Sequence, residues 1–172
     1  TQEQRVMVFI LVYMLAPMFL IMPIMVSSVL AADSFAGEKE RKTLEALLYS
    51  PTTDRELFAA KLIGTWSAAF AVAILSFIVY AVMVNAASWQ SLHAIFFPNW
   101  MWIALVLWVA PAVAGLGLVV MVFASSRAQG FQDAYQTGGM VVLPVLLLIV
   151  GQVSGVMYFS LGVVLLVGLV IW

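Results

Sequence analysis

Long apolar stretches separated by short polar segments dominate the pattern of hydrophobic and polar positions along the chain. A helix that crosses the hydrocarbon core of a bilayer needs about 20 predominantly apolar residues. Barrel strands alternate with polar positions, whereas these stretches are continuously apolar, so the pattern favours helices. The sequence predicts five membrane-spanning helices, at about residues 6–32, 57–84, 101–124, 131–150 and 156–172.

The fourth stretch leaves two alternatives open. Its continuously apolar part, residues 137–150, is shorter than a full crossing, and segments of that length are also typical of re-entrant or partly buried elements. A helix that begins near Phe131 would be long enough to cross. The pattern alone does not decide whether this segment fully crosses the membrane.

Composition excludes most other classes of protein. Of the 172 residues, 65% are hydrophobic and 9% are charged, against roughly 45–50% and about 25% in soluble domains. The net charge of -1 gives no field that would attract nucleic acid. No cysteine is present and His93 is the single histidine, which excludes thiolate and multi-histidine metal sites. We therefore expect an all-α, polytopic membrane helix bundle, with residues 1–172 forming one transmembrane domain that has no catalytic or metal site.

Basic residues indicate the orientation. Six of the seven lysines and arginines lie in residues 33–61 and 125–136, which two predicted spans separate, so these segments share one side. The positive-inside rule makes that side cytoplasmic. We expect a multi-pass protein of the cell membrane, most simply a prokaryotic plasma membrane, with the amino terminus of this chain outside. We also expect at least one further span upstream, within a larger polytopic protein.

The predicted external segment, residues 85–100, contains aromatic residues that would share one face of a helix. Aromatic rings with polar edges favour the boundary between lipid and water, so a short interfacial helix is predicted here. His93 would provide a polar tip at this boundary, with a proton-relay or metal role as the alternative. The residues of this face are Trp89, His93, Phe96, Phe97 and Trp100.

Small residues and prolines within the spans suggest how the helices pack. A small residue recurs at every fourth position in two spans, which allows another backbone to approach closely. Pro17, Pro23 and Pro111 are expected to bend their helices or to free backbone carbonyls. The two small-residue repeats are Ala60, Gly64 and Ala68, and Ala110 and Ala114.

The charged segment 33–56 follows the first predicted span. Its periodicity predicts an amphipathic helix on the membrane surface that Pro51 ends. Thr53 and Glu56 then have the spacing of a capping box that starts the next helix. Two pairs within the surface helix are expected, between Glu38 and Lys42 and between Arg41 and Glu45. The predicted helix face contains Gly37, Glu40, Arg41, Leu44, Leu47 and Leu48.

A second polar feature precedes the fourth stretch. Gln129, Gln132, Asp133 and Gln136 have helical spacing, and Asp133 is the one acidic residue that could lie inside the membrane boundary. Polar groups at this depth would suit a substrate pathway or gate. The alternative is a solvated helix end at the level of the lipid headgroups.

Residues 34–61 resemble the first cytoplasmic loop of type-2 ABC exporter permeases, near the branch of sodium-export permeases. In that family a Glu-x-Glu-Arg-x-Thr-Leu-Glu-x-Leu-Leu run precedes a proline and a helix that ends in Gly-Lys. Ala60 replaces the usual glycine of that ending. The matching residues here are Glu38, Glu40, Arg41, Thr43, Leu44, Glu45, Leu47, Leu48, Pro51 and Lys61.

This resemblance implies a permease with six spans, often with an external domain between the first two, of which this chain resembles the second to the sixth. It implies that the surface helix is a coupling helix that docks on a separate ATP-binding cassette subunit, which would bind ATP and magnesium. It also implies pairing with a second permease copy or homologue. No P-loop motif occurs in the chain. The residues implied in coupling are Glu38, Lys39, Glu40, Arg41, Thr43, Leu44 and Glu45.

Two other functions were compatible with these patterns. A membrane scaffold or assembly protein would use the small-residue helices only to bind other helices. An intramembrane metal-dependent hydrolase would use Glu38, Glu40 and Glu45 as ligands or acid–base groups, although Lys39, Arg41 and Lys42 would neutralise them. The transported substrate, and the choice between homodimer and heterodimer, have no signature in the sequence.

Overall fold

The structure, a computed structural model, describes residues 2–42, 53–93 and 95–172. Every regular element in these residues is a helix, which confirms the prediction of an all-α polytopic bundle. The α-helices are Gln2–Phe9, Ala16–Phe19, Ile21–Ala32, Glu38–Glu40, Asp54–Leu92, Trp100–Ala104, Ala110–Arg127, Phe131–Gly138, Leu143–Val153 and Leu161–Ile171.

Several of these helices join into longer rods. Four rods in the described residues are long and apolar enough to cross a membrane. We call them the first span (Ile10–Glu40), the second span (Asp54–Trp89), the third span (Trp100–Arg127) and the fourth span (Phe131–Val153). The fourth begins at Phe131, and its 23 residues are long enough for a crossing.

The last apolar stretch forms a shorter helix than the sequence predicted. Leu161–Ile171 has 11 residues, or about 16 Å at 1.5 Å per residue, which is shorter than the hydrocarbon core. Gly155 has a φ of 74° and Phe159 N–H donates to Gln152 Oε1 at 2.8 Å. The turn extends into the first residues of the span predicted at 156–172, so the helix starts only after Ser160.

The first and third spans pack closely against each other. Ser27 Oγ donates to the Ala114 carbonyl at 2.6 Å, and Ala110 and Ala114 are fully buried. A Cβ added to Gly117 would lie 2.6 Å from Ser27 Oγ. The predicted Ala110–Ala114 pair therefore does form a surface for close helix packing.

The second span presents its small residues differently from the prediction. Between residues 57 and 77 its buried positions are Thr65, Ala69 and Ala73, whereas Ala60, Gly64 and Ala68 are exposed. No heavy atom lies within 4 Å of a Cβ added to Gly64. The prediction of a close-packing groove at Ala60, Gly64 and Ala68 is therefore wrong within this chain, because the parallel series one position further along provides the contact.

The two glycines give a matched test of this packing. Gly117→Ala would place its Cβ 3.1 Å from the Ile24 carbonyl oxygen as well as against Ser27, and overpacking of this kind costs about 1–3 kcal/mol. Gly64→Ala meets no atom and should gain up to about 1 kcal/mol from helix propensity. We expect the unfolding midpoint in an SDS titration to fall for the first variant only. Equal midpoints for both would contradict the close contact.

Aromatic rings fill the core at the end of the bundle predicted to be external. Trp102 is fully buried and stacks on Tyr80, with ring centroids 4.9 Å apart and planes at 22°. Phe97 and Phe19 meet the same indole edge to face, at 5.1 and 5.5 Å. The first, second and third spans therefore meet around this one side chain.

Two of the prolines that the sequence predicted to bend helices or free carbonyls follow wide helical turns. π-Helical turns occupy Ile10–Met14, before Pro17, and Leu105–Val109, before Pro111. Proline lacks the N–H that an α-helix requires, so backbone carbonyls are freed nearby. Side chains of other segments bond to these regions. Tyr80 Oη donates to the Leu11 carbonyl, Trp102 Nε1 to Val12, Trp66 Nε1 to Pro111 and Trp172 Nε1 to Trp108.

The prediction of an interfacial helix at the end expected to be external is wrong. The helix of the second span continues to Leu92, His93 ends it with a φ of 50°, and residues 95–99 are not helical. Asn85 Oδ1 accepts from the N–H groups of Phe96 and Phe97, both at 3.3 Å, and its amide donates to the Phe97 carbonyl. Pro98 also disfavours a helix at the residue before it. Asn85 thus folds the segment back on the second span, and Phe97 becomes buried instead of facing the interface.

Candidate functional site

The charged segment begins as a continuation of the first span. A π-helical turn, Asp33–Gly37, leads into Glu38–Glu40, and the helix ends at Arg41 and Lys42, where Lys42 has a φ of 56°. The prediction of one surface helix that starts near Gly37 and continues past Lys42 is therefore wrong, because this left-handed residue breaks it. Five residues of its predicted second half lie outside the described residues, namely Thr43, Leu44, Glu45, Leu47 and Leu48, as does Pro51.

Lys61 of the second span reaches the end of the first span. Its ammonium pairs with the Glu38 carboxylate and donates to the Ser34 carbonyl at 3.1 Å. It also lies 5.7 Å from the centroid of the Phe35 ring. The Lys61 and Glu38 side chains are 13% and 22% exposed, so water screens this pair less than a surface ion pair.

Lys39 and Glu40, the two residues that follow Glu38, bind the turn between the third and fourth spans. Lys39 Nζ donates to the Ala128 carbonyl at 2.9 Å. Glu40 Oε2 accepts from Phe131 N–H at 2.9 Å, at the first residue of a helix, where a carboxylate also compensates the helix dipole. A Cβ on Gly130 would lie 2.6 Å from Glu40 Oε2, so glycine lets the carboxylate approach this backbone.

Arg41 folds back on the first span. Its guanidinium donates to Asp33 Oδ1 at 2.8 Å, with both side chains more than half exposed, so the pair contributes at most about 1 kcal/mol. The sequence predicted Glu45 as the partner of Arg41 and Lys42 as the partner of Glu38. Within the described residues, Arg41 pairs with Asp33 and Glu38 pairs with Lys61. Glu45 lies outside the described residues, so its predicted pair with Arg41 stays a prediction.

The capping box at the start of the second span is confirmed. Thr53 Oγ1 accepts from Glu56 N–H at 3.4 Å, and Glu56 Oε2 accepts from Thr53 N–H at 3.0 Å. The second span therefore has a defined first turn.

We call the charged contacts at this end of the bundle, which the sequence predicted to be cytoplasmic, the cytoplasmic network. It links the end of the first span to the second span through Lys61, and to the start of the fourth span through the turn at residues 128–131. A displacement of residues 38–41 would therefore act on three spans together. The side chains of the cytoplasmic network are Asp33, Glu38, Lys39, Glu40, Arg41 and Lys61.

The polar stripe before the fourth span does not face the interior of this chain. Gln132, Asp133 and Gln136 are exposed, and the buried side of their helix is formed by Ala134 and Gly138. Asp133 Oδ2 accepts from Gln129 N–H at 3.0 Å. Asp133 also borders a groove of about 420 Å³ beside Arg127 and Thr137. A pathway role for these three residues remains a prediction.

No group of three or more potential metal ligands occurs in the described residues. His93, the one histidine, is exposed and its ring meets Trp89 edge to face at 6.5 Å. This environment fits a polar residue at an interface. It offers no second ligand from the described part of the chain.

Comparison with known proteins identifies the family. A family model described as ABC-2 family transporter protein matches residues 1–168, which is nearly the whole chain. No curated protein and no solved structure gave a significant match. Members of this family are transmembrane subunits without catalytic activity of their own, which agrees with the four membrane-length helices. The chain therefore belongs to the ABC-2 family of transporter proteins, as a membrane permease component of an ABC exporter.

Proposed function

We propose that this permease couples ATP hydrolysis on a separate ATP-binding cassette subunit to efflux of a substrate. ATP and magnesium would bind to that partner subunit. The chain would act with a second permease copy or homologue in the cell membrane, with the amino terminus of this chain outside. Residues 33–56 are the proposed coupling segment.

The observation that supports this function best is the cytoplasmic network. A coupling element has to move neighbouring spans when its partner moves, and packed elements that shift as rigid bodies transmit such displacements. Glu38 is tied to the second span, and Lys39 and Glu40 are tied to the turn before the fourth span. Contacts of this kind would transfer a displacement of the segment to the second span and to the turn before the fourth span.

These contacts divide the proposed coupling residues into two groups. Glu38, Lys39, Glu40 and Arg41 have partners within the chain, so we assign them to transmission. Docking on the ATP-binding subunit is assigned to the residues that follow, namely Thr43, Leu44 and Glu45. Exposed charges at such a surface would set the orientation and the rate of docking.

The two roles are separable by charge reversal. Glu45→Lys should abolish copurification of the ATP-binding subunit while the permease remains inserted. Glu40→Lys removes the acceptor of Phe131 N–H, so it should preserve the complex but lower transport-stimulated ATP hydrolysis about tenfold, a loss of the size expected for one charge-assisted hydrogen bond. Copurification and ATPase assays on the same membranes measure both effects.

Lys42→Glu serves as the matched control, because Lys42 is an exposed neighbour that belongs to neither group. It should leave both readouts near wild type. Unchanged copurification with Glu45→Lys would refute docking through this segment. Loss of the complex with Glu40→Lys alone would refute the division into docking and transmission.

Two finer assignments belong to the same proposal. The relation to sodium-export permeases rests on the loop motif within residues 34–61. A pathway or gate at Gln132, Asp133 and Gln136 would require a second permease to cover their exposed side. Efflux assays with Asp133→Asn would test the gate.

The other candidate functions have less support. A metal-dependent hydrolase would need free carboxylates, whereas Glu38 pairs with Lys61 and Glu40 accepts from Phe131 N–H. A scaffold would need no ATPase, so a P-loop protein encoded in the neighbouring reading frame would favour the exporter over the scaffold.

A further inference from the structure

A small pocket opens where the cytoplasmic ends of the first three spans meet. It encloses about 270 Å³, which is slightly below the roughly 300–1,000 Å³ of pockets that enclose a drug-sized ligand. One part of its wall is apolar and the other is polar. The lining residues are Phe35, Val122 and Phe58, and Lys39, Ser125 and Ser126.

The polar part of this pocket has unused hydrogen-bonding capacity. Ser125 is 5% exposed, and its hydroxyl has no hydrogen-bond partner. A buried polar atom without a partner costs folding free energy, and a bound ligand, ion or water that supplies the partner removes this cost. Lys39 Nζ donates to the Ala128 carbonyl, which occupies one of its three N–H donors. A cation and a hydroxyl are therefore both available in the lining of this pocket.

The charges around the pocket favour an anion. The nearby carboxylates are engaged, because Glu38 pairs with Lys61, Asp33 pairs with Arg41 and Glu40 accepts from Phe131 N–H. Lys39 bonds to a carbonyl and not to a carboxylate, so its positive charge is not neutralised by an ion pair.

The apolar part and the position of the pocket favour a lipid as the source of that anion. Phe35 and Phe58 form an edge-to-face pair with centroids 5.6 Å apart, and Phe58 remains 46% exposed. The lining residues belong to the last turns of the first and third spans and to the first turns of the second span. This is the depth at which headgroups meet acyl chains, and basic pockets between helix ends on the cytoplasmic side bind anionic headgroups.

We propose that this pocket binds the phosphate of an anionic phospholipid, with Lys39 and the Ser125 hydroxyl as donors. The acyl chains would lie outside the pocket, against Phe58. Because Lys39 also bonds to the turn before the fourth span, the lipid would contact the cytoplasmic network. This site goes beyond the proposed function and does not depend on docking of an ATP-binding subunit.

Lipid retention by the full-length protein tests the proposal. The protein is purified in detergent, mixed with phosphatidylglycerol or phosphatidylcholine, and examined by native mass spectrometry. Wild type should retain phosphatidylglycerol preferentially. Lys39→Gln should bind it about tenfold more weakly, as expected for loss of a charge-assisted hydrogen bond, whereas Lys39→Arg and the control Lys42→Gln should bind it like wild type.

The melting temperature of Ser125→Ala gives a second readout, from a variant that is expected to fold normally. Removing a hydroxyl that has no partner should leave the melting temperature in lipid-free detergent unchanged or raised. The rise in melting temperature on adding phosphatidylglycerol should shrink, because ligand binding stabilises the folded state by mass action.

Three results would overturn the proposal. The first is equal retention of phosphatidylglycerol by Lys39→Gln and wild type. The second is equal retention of phosphatidylcholine and phosphatidylglycerol by wild type. The third is displacement of the lipid by inorganic phosphate at equal concentration, which would identify the site as one for free phosphate. None of these results bears on copurification of the ATP-binding subunit, so failure of this site and failure of coupling are distinguishable.

Discussion

Replacement of Lys61 by methionine is expected to uncouple the second span from the first and to destabilise the protein by about 2–3 kcal/mol. This cost is somewhat below the roughly 3–5 kcal/mol that is lost when one partner of a fully buried ion pair is removed. The variant loses the pair with Glu38 and the hydrogen bond to the Ser34 carbonyl. The Glu38 carboxylate loses this cation in a site where only 22% of its side chain is exposed. Thermal unfolding in detergent measures the loss.

A charge swap separates the ion pair from the other contacts of Lys61. In the double variant Glu38→Lys with Lys61→Glu, opposite charges again face each other, so stability should recover. Recovery should be partial, because a glutamate at position 61 cannot donate to the Ser34 carbonyl. If the swap is as unstable as the sum of the two single variants, the pair contributes nothing and the network needs another explanation.

The same variants report on coupling in the intact complex. Lys61→Met should lower ATP-driven transport more than it lowers recovery of the assembled complex, because Lys61 acts between spans of one chain. Lys42→Glu again provides the control, since Lys42 is an exposed lysine in the same charged segment as Glu38. Loss of assembly in parallel with transport would place Lys61 in docking instead.

Substitution of Trp102 by alanine is expected to be the most destabilising single change in the described core. Trp102 is fully buried against Tyr80, Phe97 and Phe19, and truncating such a side chain costs about 3–5 kcal/mol. Trp102 Nε1 also donates to the Val12 carbonyl at 2.7 Å. An SDS titration of the purified protein measures the total loss.

Two further variants divide this cost into packing and hydrogen bonding. Trp102→Phe retains an aromatic ring but loses the indole N–H, so about 1–3 kcal/mol should disappear as the Val12 carbonyl is left without its donor. Trp100 lies two positions earlier in the same helix and is 78% exposed, so Trp100→Ala should change the midpoint little. A similar loss for Trp100→Ala and Trp102→Ala would contradict the burial of Trp102.

The bundle was predictable from sequence because membrane helices satisfy their backbone hydrogen bonds internally, so continuous apolar length is enough to identify them. The capping box was predictable for a similar reason, because Thr53 and Glu56 act on each other within one turn. Freed backbone carbonyls near Pro17 and Pro111 were predictable from the missing proline N–H, although the wide turns before these residues were not. In each case the signal is local.

The features that the sequence did not reveal depend on contacts between distant residues. Lys61 was recognised only as the end of a motif, because nothing in its spacing shows that it lies beside Glu38. Four-residue spacing of small side chains fits Ala60, Gly64 and Ala68 as well as the buried series that includes Ala69 and Ala73. Only packing against the other spans decides which face is inward.

The interfacial helix predicted within residues 85–100 was wrong for a related reason. Trp89, His93 and Phe96 have helical spacing, but spacing does not include the side chain of Asn85, which captures the backbone of Phe96 and Phe97. Local hydrogen bonds from asparagine to the backbone compete with helix formation. The pocket beside Lys39 was equally invisible, because its six lining residues come from three spans.

The wide turn at Ile10–Met14 also fixes the rotational phase of everything before it. Each residue of an α-helix advances by about 100° around the axis, and a π-turn accommodates one residue more than the α-turn it replaces. Deleting one residue from this turn would restore a regular helix only by rotating Gln2–Phe9 by about that angle. Whichever side of that amino-terminal helix meets its neighbours is therefore set by one extra residue near Pro17, rather than by the helix's own sequence.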